Sequence, residues 1–456
     1  MRVLMATSAE WSHAAGLVPL GWGLRTAGHD VLVATQPALV DKLAESGLPM
    51  AAVGRDHRLT EVLQRLPAPR RRGEGLTAHW QDHDMAWSDL VWSTRYMVRW
   101  WWGLINNPMV ADLVTLCRQW RPDLVIWETT TYAGAVAARA NGVPHARFVW
   151  SVDLLARMRQ SYLVSKAAQV PGDQVDPMAD WLGSCASRSG TDFDEELILG
   201  QATITQLPAS LRRHDAQGIR YLPTRYVPYN GRAVLPDWLR RPPERPRVGL
   251  TLGTSAIERF GSYAVEVADL LRALGDLDIE VVATIPDSQR AGLGPVPANV
   301  RVEAFVSLGA LLPTCTVLVD HGGPGTVCTA VAHGVPQLVV PAEFDAPVLA
   351  GMLAETGAGL VLDAEAADPG RVRAAVAELL SEPSYAAAAS RLNDEWAAEP
   401  DPCQLATALA HGIVATPPAV ERIPAEPVPG PPGQRLRAGG LAVLAPGEAT
   451  PAGGVR

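Results

Sequence analysis

The sequence of 456 residues has few lysines, cysteines and phenylalanines and no long apolar run. Only two lysines, Lys42 and Lys166, occur among 39 basic residues, and the formal net charge is −9. This acidic balance argues against a nucleic-acid partner, which requires a basic surface. No apolar stretch reaches the roughly 18 residues of a membrane span, and the apolar start of the chain is too short for a signal peptide. We therefore expect a cytoplasmic protein without a membrane span.

The five cysteines are odd in number and widely scattered. No two of them have the C-x-x-C spacing that is typical of zinc and redox sites. The sequence therefore predicts neither a disulfide framework nor a zinc site, and it favours a reducing compartment.

Tryptophan is abundant by contrast, with 14 residues against five phenylalanines, and twelve tryptophans precede residue 182. Trp80, Trp87 and Trp92 fall in one irregular insertion. Such residues line broad apolar pockets, but they are also common in cores and at protein interfaces. The pattern leaves three interpretations open: a pocket for an apolar ligand, a part of the core, or a surface for a partner.

Short apolar strands alternate with helical patterns in two parts of the chain. The first part starts with strands near residues 3–6 and 31–34 and continues at 123–127; a second begins at 247–252. This alternation is typical of a parallel sheet with helices on both faces. We predict an α/β protein with two doubly wound domains, in keeping with a length that suggests two or three domains.

Composition also predicts the domain boundaries. We assign residues 1–235 to an N-terminal domain, the proline-rich stretch 236–246 to a linker and 247–383 to a C-terminal domain. Residues 384–413 are expected to form terminal helices that cross back to the N-terminal domain. Proline and glycine dominate residues 414–456 without periodicity, which predicts a disordered tail.

The most informative segment runs from Asp320 to Thr326, between a predicted strand and a predicted helix, and contains HGGPGT. Glycines allow close approach to the backbone, and a helix N-terminus favours anions, which suits a diphosphate. The alternative is a tight turn without a ligand. The chain has neither the dinucleotide-binding fingerprint nor a P-loop, which argues against a nicotinamide-dependent oxidoreductase.

Several motifs occur together in one order along the chain. They include VLMATSAEWSHAAGLVPLGWGLRTAGHDV at 3–31, RPDLVIWE at 121–128, LTLGTSA at 250–256, HGGPGT at 321–326 and PAEFD at 341–345. Together they resemble the GT-B glycosyltransferases of family 1, in particular bacterial enzymes that attach deoxysugars to macrolide, anthracycline and related polyketides. The resemblance implies two Rossmann-like domains that face each other across a cleft.

The resemblance also implies a donor site for a nucleotide sugar, expected to be dTDP-linked. The diphosphate would be held by the HGGPGT turn and the loop after the first strand of the second domain. Val306 would meet the base through its backbone and Asp345 would meet sugar hydroxyls. Ala346 replaces a glutamine of relatives that use ordinary hexoses, which suits a deoxygenated sugar but also a plain helix start. The implied donor residues are Thr254, Ser255, Val306, His321, Gly322, Gly323, Gly325, Thr326 and Asp345.

Inverting transfer needs a base that removes the proton of the acceptor hydroxyl. His13, in the predicted loop after the first strand, takes this role by the resemblance, and a histidine suits it at neutral pH. Glu128, at the end of another strand, would orient the imidazole. The alternatives are a loop histidine without a catalytic role for His13 and a helix cap for Glu128. Glu128 is also one methylene longer than the aspartate that many relatives have at this position, which makes its hydrogen bond to His13 less certain to form.

We therefore predict an inverting, metal-independent glycosyltransferase that moves a deoxysugar to a hydroxyl of a hydrophobic polyketide. No cofactor is expected, and Trp80, Trp87 and Trp92 are candidate acceptor contacts. The resemblance also suggests an auxiliary protein similar to a cytochrome P450, and a homodimer is a further option. The competing functions are a sugar-nucleotide epimerase and a non-catalytic scaffold or activator.

Overall fold

The computed structural model of the protein describes residues 1–65, 85–213, 215–254, 257, 263, 265–342 and 344–412. The predictions for Trp80, for Ser255 and for a disordered tail at 414–456 lie outside these residues. Within the described part of the chain, no helix is both long and apolar enough to cross a membrane.

The first half of the chain forms one sheet of seven strands. These are β1 (Arg2–Ala6), β2 (Asp30–Thr35), β3 (Met50–Ala52), β4 (Leu124–Glu128), β5 (His145–Val149), β6 (Thr203–Thr205) and β7 (Tyr221–Pro223). All pairs are parallel, in the order β3-β2-β1-β4-β5-β6-β7. The strand order reverses between β1 and β4, and ligands of doubly wound sheets bind at the carboxyl ends of the strands at such a point.

Helices cover both faces of this sheet, which explains why β4 and β5 are buried along their whole length. They are α1 (Trp11–Ala14), α2 (Leu17–Thr26), α3 (Pro37–Ala44), α4 (Leu59–Arg65), α5 (Trp87–Met97), α6 (Gly103–Asn106), α7 (Val110–Trp120), α8 (Tyr132–Ala140), α9 (Leu154–Ala167), α10 (Pro177–Arg188) and α11 (Glu196–Leu199), with a π-helix at Val98–Trp102. Short 3-10 helices lie at Pro171–Asp173 and Ala209–Leu211. The loop predicted after β1 in fact contains α1, because the backbone N–H groups of Ala14 and Ala15 close one helical turn.

The second half forms a parallel sheet of six strands in the order β10-β9-β8-β11-β12-β13. The strands are β8 (Arg247–Thr251), β9 (Glu280–Thr284), β10 (Val300–Glu303), β11 (Val317–Asp320), β12 (Gln337–Val339) and β13 (Gly359–Val361). The strand order again reverses next to the first strand. The prediction of two doubly wound α/β domains is therefore confirmed.

Helices also cover the second sheet and end the described chain. They are α12 (Val267–Gly275), α13 (Asp287–Arg290), α14 (Leu308–Leu311), α15 (Pro324–Ala332), α16 (Ala346–Glu355), α17 (Pro369–Ser381), α18 (Pro383–Ala398) and α19 (Pro402–Ala410), with 3-10 turns at Asp237–Arg240, Leu312–Thr314 and Ala364–Ala366.

The two halves share one apolar cluster and the terminal helices. Val152 and Tyr226 of the first half are buried together with Val327 and Leu349 of the second. The end of α18 then returns to the first half, where the Trp396 indole N–H donates to the Tyr226 carbonyl at 2.8 Å. Helix α19 packs on α2, so the terminal helices connect the second half back to the first.

Candidate active site

The first candidate site lies where the neighbouring parallel strands β1 and β4 end. Glu128 is the last residue of β4, and His13 lies in α1, shortly after β1. His13 Nδ1 and Glu128 Oε1 are 3.2 Å apart; the Glu128 side chain is fully buried, whereas 12% of the His13 side chain is exposed. The structure thus brings together the two residues that the sequence suggested as base and partner.

The Glu128 carboxylate accepts several further hydrogen bonds. Its Oε1 accepts from the Thr130 backbone N–H at 3.0 Å and from Trp150 Nε1 at 2.7 Å, and its Oε2 accepts from Thr131 Oγ1 at 2.8 Å. Burial alone would raise the pKa of Glu128, but the charge of His13 and these donors outweigh burial and lower that pKa below its usual value. Glu128 is therefore ionised at neutral pH.

Three of these partners were missed from the sequence. Trp150 directly follows β5, and Thr130 and Thr131 follow β4, so all three lie at the carboxyl edge of the sheet. Their position directly after neighbouring strands is the feature of the sequence that could have indicated them as site residues. The Trp150 ring also packs on the His13 imidazole, with ring centroids 4.5 Å apart and an interplanar angle of 33°.

The second candidate site is the glycine-rich turn between β11 and α15. Gly322 has a φ of +81°, which favours glycine, and its N–H donates to Asp320 Oδ1 at 2.6 Å. A Cβ at Gly322 would lie 3.1 Å from the Cβ of Ala346, so the start of α16 closes on this turn. Helix α15 begins at Pro324, and its positive N-terminal end faces the turn, which is an arrangement that binds anions.

His321 is held between two backbone segments of this site. A Cβ at Gly253 would lie 2.7 Å from the ring Cε1, and a Cβ at Gly323 would lie 2.4 Å from Nε2. Burial lowers the pKa of His321 to about 4, against the opposing effect of the Thr251 backbone. At pH 7 the imidazole is therefore neutral and can offer an N–H donor to an anion. Burial also raises the pKa of Asp320 to about 7, which reduces the negative charge beside the turn.

The other predicted donor residues divide into two groups. Gly325 and Thr326 lie in the first turn of α15, and the exposed Thr254 follows Gly253, which touches His321. Val306 lies in a different cluster, where the residue is only 4% exposed among apolar residues. A contact between the Val306 backbone and the nucleobase therefore stays a prediction.

Asp345 and its neighbour connect the two halves across the cleft. The Asp345 carboxylate accepts a hydrogen bond from Ser151 Oγ, which follows Trp150 in the first half. The ring of Phe344 meets the ring of Trp101 edge-on, with centroids 5.3 Å apart. Phe344 adopts a φ of +50°, which is uncommon for a bulky residue. The residue predicted to meet sugar hydroxyls thus contacts the opposite domain.

The tryptophan-rich segment serves several roles. Trp87 donates its indole N–H to the Asp173 carbonyl at 3.1 Å, whereas Trp92 stacks on Tyr96 and is 56% exposed. Trp102 is 3% exposed and belongs to the core. Residues of this segment therefore lie in the core, at the surface and, for Trp101, at the contact between the two halves.

Two parallel sheets, with a histidine–carboxylate pair at the edge of one and a glycine-rich turn at a helix N-terminus in the other, are the architecture of GT-B glycosyltransferases. Solved structures share this fold. The glycosyltransferase VinC in complex with dTDP is 40% identical with a TM-score of 0.77, covering 90% of this chain and 99% of that chain. The spinosyn forosaminyltransferase SpnP is 35% identical with a TM-score of 0.76, covering 91% of this chain and 100% of that chain. The predicted GT-B fold is confirmed.

Two family models match most of the chain. The N-terminal domain of erythromycin biosynthesis protein CIII-like proteins matches residues 22–253, and the C-terminal domain matches residues 268–411. The chain belongs to this family, and it is a glycosyltransferase.

Curated relatives agree with this assignment. The 10-deoxymethynolide desosaminyltransferase of Streptomyces venezuelae is 44% identical over 93% of this chain and 98% of its own length. The aclacinomycin-T 2-deoxy-L-fucose transferase of Streptomyces galilaeus is 39% identical over 88% of this chain and 94% of its own. The predicted resemblance to macrolide and anthracycline deoxysugar transferases is confirmed.

Proposed function

We propose that the protein is an inverting glycosyltransferase that moves a deoxysugar from dTDP to a hydroxyl of a hydrophobic polyketide. The observation that carries this proposal is the contact between His13 and the buried, ionised Glu128 at the carboxyl edge of the first sheet. A base with an oriented imidazole is what the acceptor half of such a reaction requires. The protein would act in the biosynthesis of a secondary metabolite in the cytoplasm.

The proposed reaction is a single displacement. Because Glu128 engages Nδ1 of His13, the other ring nitrogen, Nε2, is left to accept the proton of the acceptor hydroxyl. The acceptor oxygen forms a bond to the anomeric carbon while the bond from that carbon to the diphosphate breaks. The electron pair leaves with dTDP, and the anomeric configuration inverts. The ionised Glu128 stabilises the imidazolium that results.

The donor proposal rests on the turn around His321. Its neutral imidazole and the N-terminus of α15 supply donors for a diphosphate without a metal ion. Among the described residues there is no group of three or more histidine, cysteine, aspartate or glutamate residues that could hold a metal. VinC was solved with dTDP, and the relatives above are named for deoxysugars, which supports a dTDP-deoxysugar as donor.

The acceptor proposal uses the first half of the chain, residues 1–235. The names of relatives point to macrolide or anthracycline aglycones, for which Trp87 and Trp92 remain candidate contacts. Because Trp92 is more than half exposed, it also suits a protein surface. An auxiliary protein similar to a cytochrome P450 belongs to this proposal and is included in its test, and a homodimer stays a further prediction.

The proposal is tested by incubating purified protein with a panel of dTDP-sugars and polyketide aglycones, with and without a P450-like protein. We expect a product heavier than the aglycone by one sugar residue, with inverted anomeric configuration by NMR, and unchanged rates in EDTA. The variant His13→Ala should lose transfer while it still binds dTDP.

Conversion of the donor without any aglycone would favour an epimerase, and unchanged glycosylation in cells that carry His13→Ala would favour a scaffold. A retained configuration would refute the inverting mechanism.

A further inference from the structure

Trp150 contacts both members of the His13–Glu128 pair. Its indole N–H donates to Glu128 Oε1 at 2.7 Å, and its ring lies 4.5 Å from the imidazole of His13, measured between centroids. We propose that Trp150 is a positioning residue that holds Glu128 and His13 in the arrangement needed for proton transfer from the acceptor. This inference rests on the proposed function, in which His13 is the base.

The hydrogen bond from Trp150 holds one of the two oxygens of the Glu128 carboxylate. Other donors hold both oxygens as well. Oε1 accepts from Trp150 and from the Thr130 backbone N–H, while Oε2 accepts from Thr131 Oγ1. The carboxylate cannot rotate without breaking charge-assisted hydrogen bonds, which are about twice as strong as neutral ones. His13 Nδ1 therefore faces an acceptor in a constant position. That acceptor favours the imidazole tautomer with its proton on Nδ1, which leaves Nε2 free.

The ring of Trp150 restrains the imidazole itself. Helix α1 has only four residues and no side-chain cap, and such a short helix gives little rigidity of its own. The ring of Trp150, at 33° to the imidazole, limits the rotation of His13 on this helix. Apolar packing alone would not require the indole N–H to point at a fully buried carboxylate. The two contacts together therefore indicate positioning rather than simple core filling.

The variant Trp150→Phe tests this inference because it keeps an aromatic ring and removes the N–H donor. The matched control is Trp22→Phe, since the Trp22 indole N–H donates to the Ser46 carbonyl at 2.9 Å, outside the site. Nitrogen-15 NMR of the free protein reports the histidine tautomers, recorded while the pH is raised until the His13 signals show a neutral imidazole. The His13 signal is assigned with His13→Gln. Initial rates of transfer give kcat and the KM for the acceptor, and thermal unfolding monitors the fold.

We expect a single Nδ1–H tautomer of His13 in the unsubstituted protein and in Trp22→Phe, and a mixture of tautomers in Trp150→Phe. The kcat of Trp150→Phe should fall about tenfold with an unchanged acceptor KM. The variant Trp150→His, which restores a ring N–H, should recover part of the loss. An unaltered tautomer together with an unaltered kcat would overturn the inference, as would a loss of rate that only follows a loss of fold. A change of tautomer in a protein that transfers no sugar would instead refute the proposed function and leave the positioning role intact.

Discussion

The replacement Glu128→Gln separates the charge of Glu128 from its shape. The amide oxygen can stay at the position of Oε1, where it still accepts from Trp150 Nε1 and from the Thr130 backbone N–H. The amide N–H₂ then takes the position of Oε2, where the hydroxyl of Thr131 can rotate and accept from it. The local hydrogen bonds therefore survive, and the negative charge beside His13 is what disappears.

The size of the effect follows from the distance in the pair. With 3.2 Å between His13 Nδ1 and Glu128 Oε1, Coulomb's law at an effective dielectric constant of about 20 gives an attraction of about 5 kcal/mol for the imidazolium. The amide oxygen of Glu128→Gln retains part of this attraction through its dipole. We expect a net loss of about 3–4 kcal/mol in the transition state, which lowers kcat by roughly a hundred- to a thousandfold.

Single-turnover transfer with saturating donor measures this change directly. The control Glu280→Gln removes another carboxylate, which pairs with Arg247 at 3.1 Å in the second domain, and should retain most of the activity. Equal thermal unfolding of both variants would show that the fold is intact. A Glu128→Gln enzyme within about threefold of the unsubstituted rate would refute the electrostatic role, because it would correspond to less than about 1 kcal/mol.

Further predictions concern packing, pH dependence and the cleft. Gly23→Val places side-chain atoms where the terminal helix packs and should lower the free energy of unfolding in urea by about 1–3 kcal/mol. Gly172→Ala, in open space, should change it by less than about 0.5 kcal/mol, and equal effects would contradict this packing. Because the pKa of Asp320 is raised from 3.8 to about 7, its favourable contribution is lost as pH rises through that range. Between pH 5 and pH 8, urea unfolding should show Asp320→Asn gaining about 2–3 kcal/mol relative to the unsubstituted protein, and parallel pH profiles would contradict it. Ser151→Ala removes the hydrogen bond that holds the Asp345 carboxylate and should raise the donor KM about three- to tenfold, with little change in kcat; an unchanged donor KM would count against a role of this contact in donor binding.

The fold could be predicted in detail because periodicity and glycine content report local structure. The strand that ends at Asp320 and the helix that starts at Pro324 follow directly from apolar residues, glycines and a proline. The position of His13 and Glu128 at neighbouring strand ends could also be anticipated, since parallel strands end at the same edge. Helix α1 was missed because four residues are too few for a periodic pattern.

The contacts between distant segments could not be predicted. Nothing near Trp150 in the sequence indicates that its N–H meets Glu128, because that contact depends on the register of β4 and β5. The hydrogen bond between Ser151 and Asp345 joins residues 194 positions apart, and it depends on how the two halves pack against each other. Tryptophan content likewise could not separate the exposed Trp92 from buried members of the same segment.

The chain passes between the two halves twice, once through the linker near residue 236 and once where α18 leads into α19. The second crossing is tied down at Pro400, whose carbonyl accepts from the Arg225 backbone N–H at 2.7 Å. Two connections restrain the relative position of the halves more than one connection would. The contacts of Trp101 with Phe344 and of Ser151 with Asp345 also join the two halves, so any separation of the halves at this point must break both contacts.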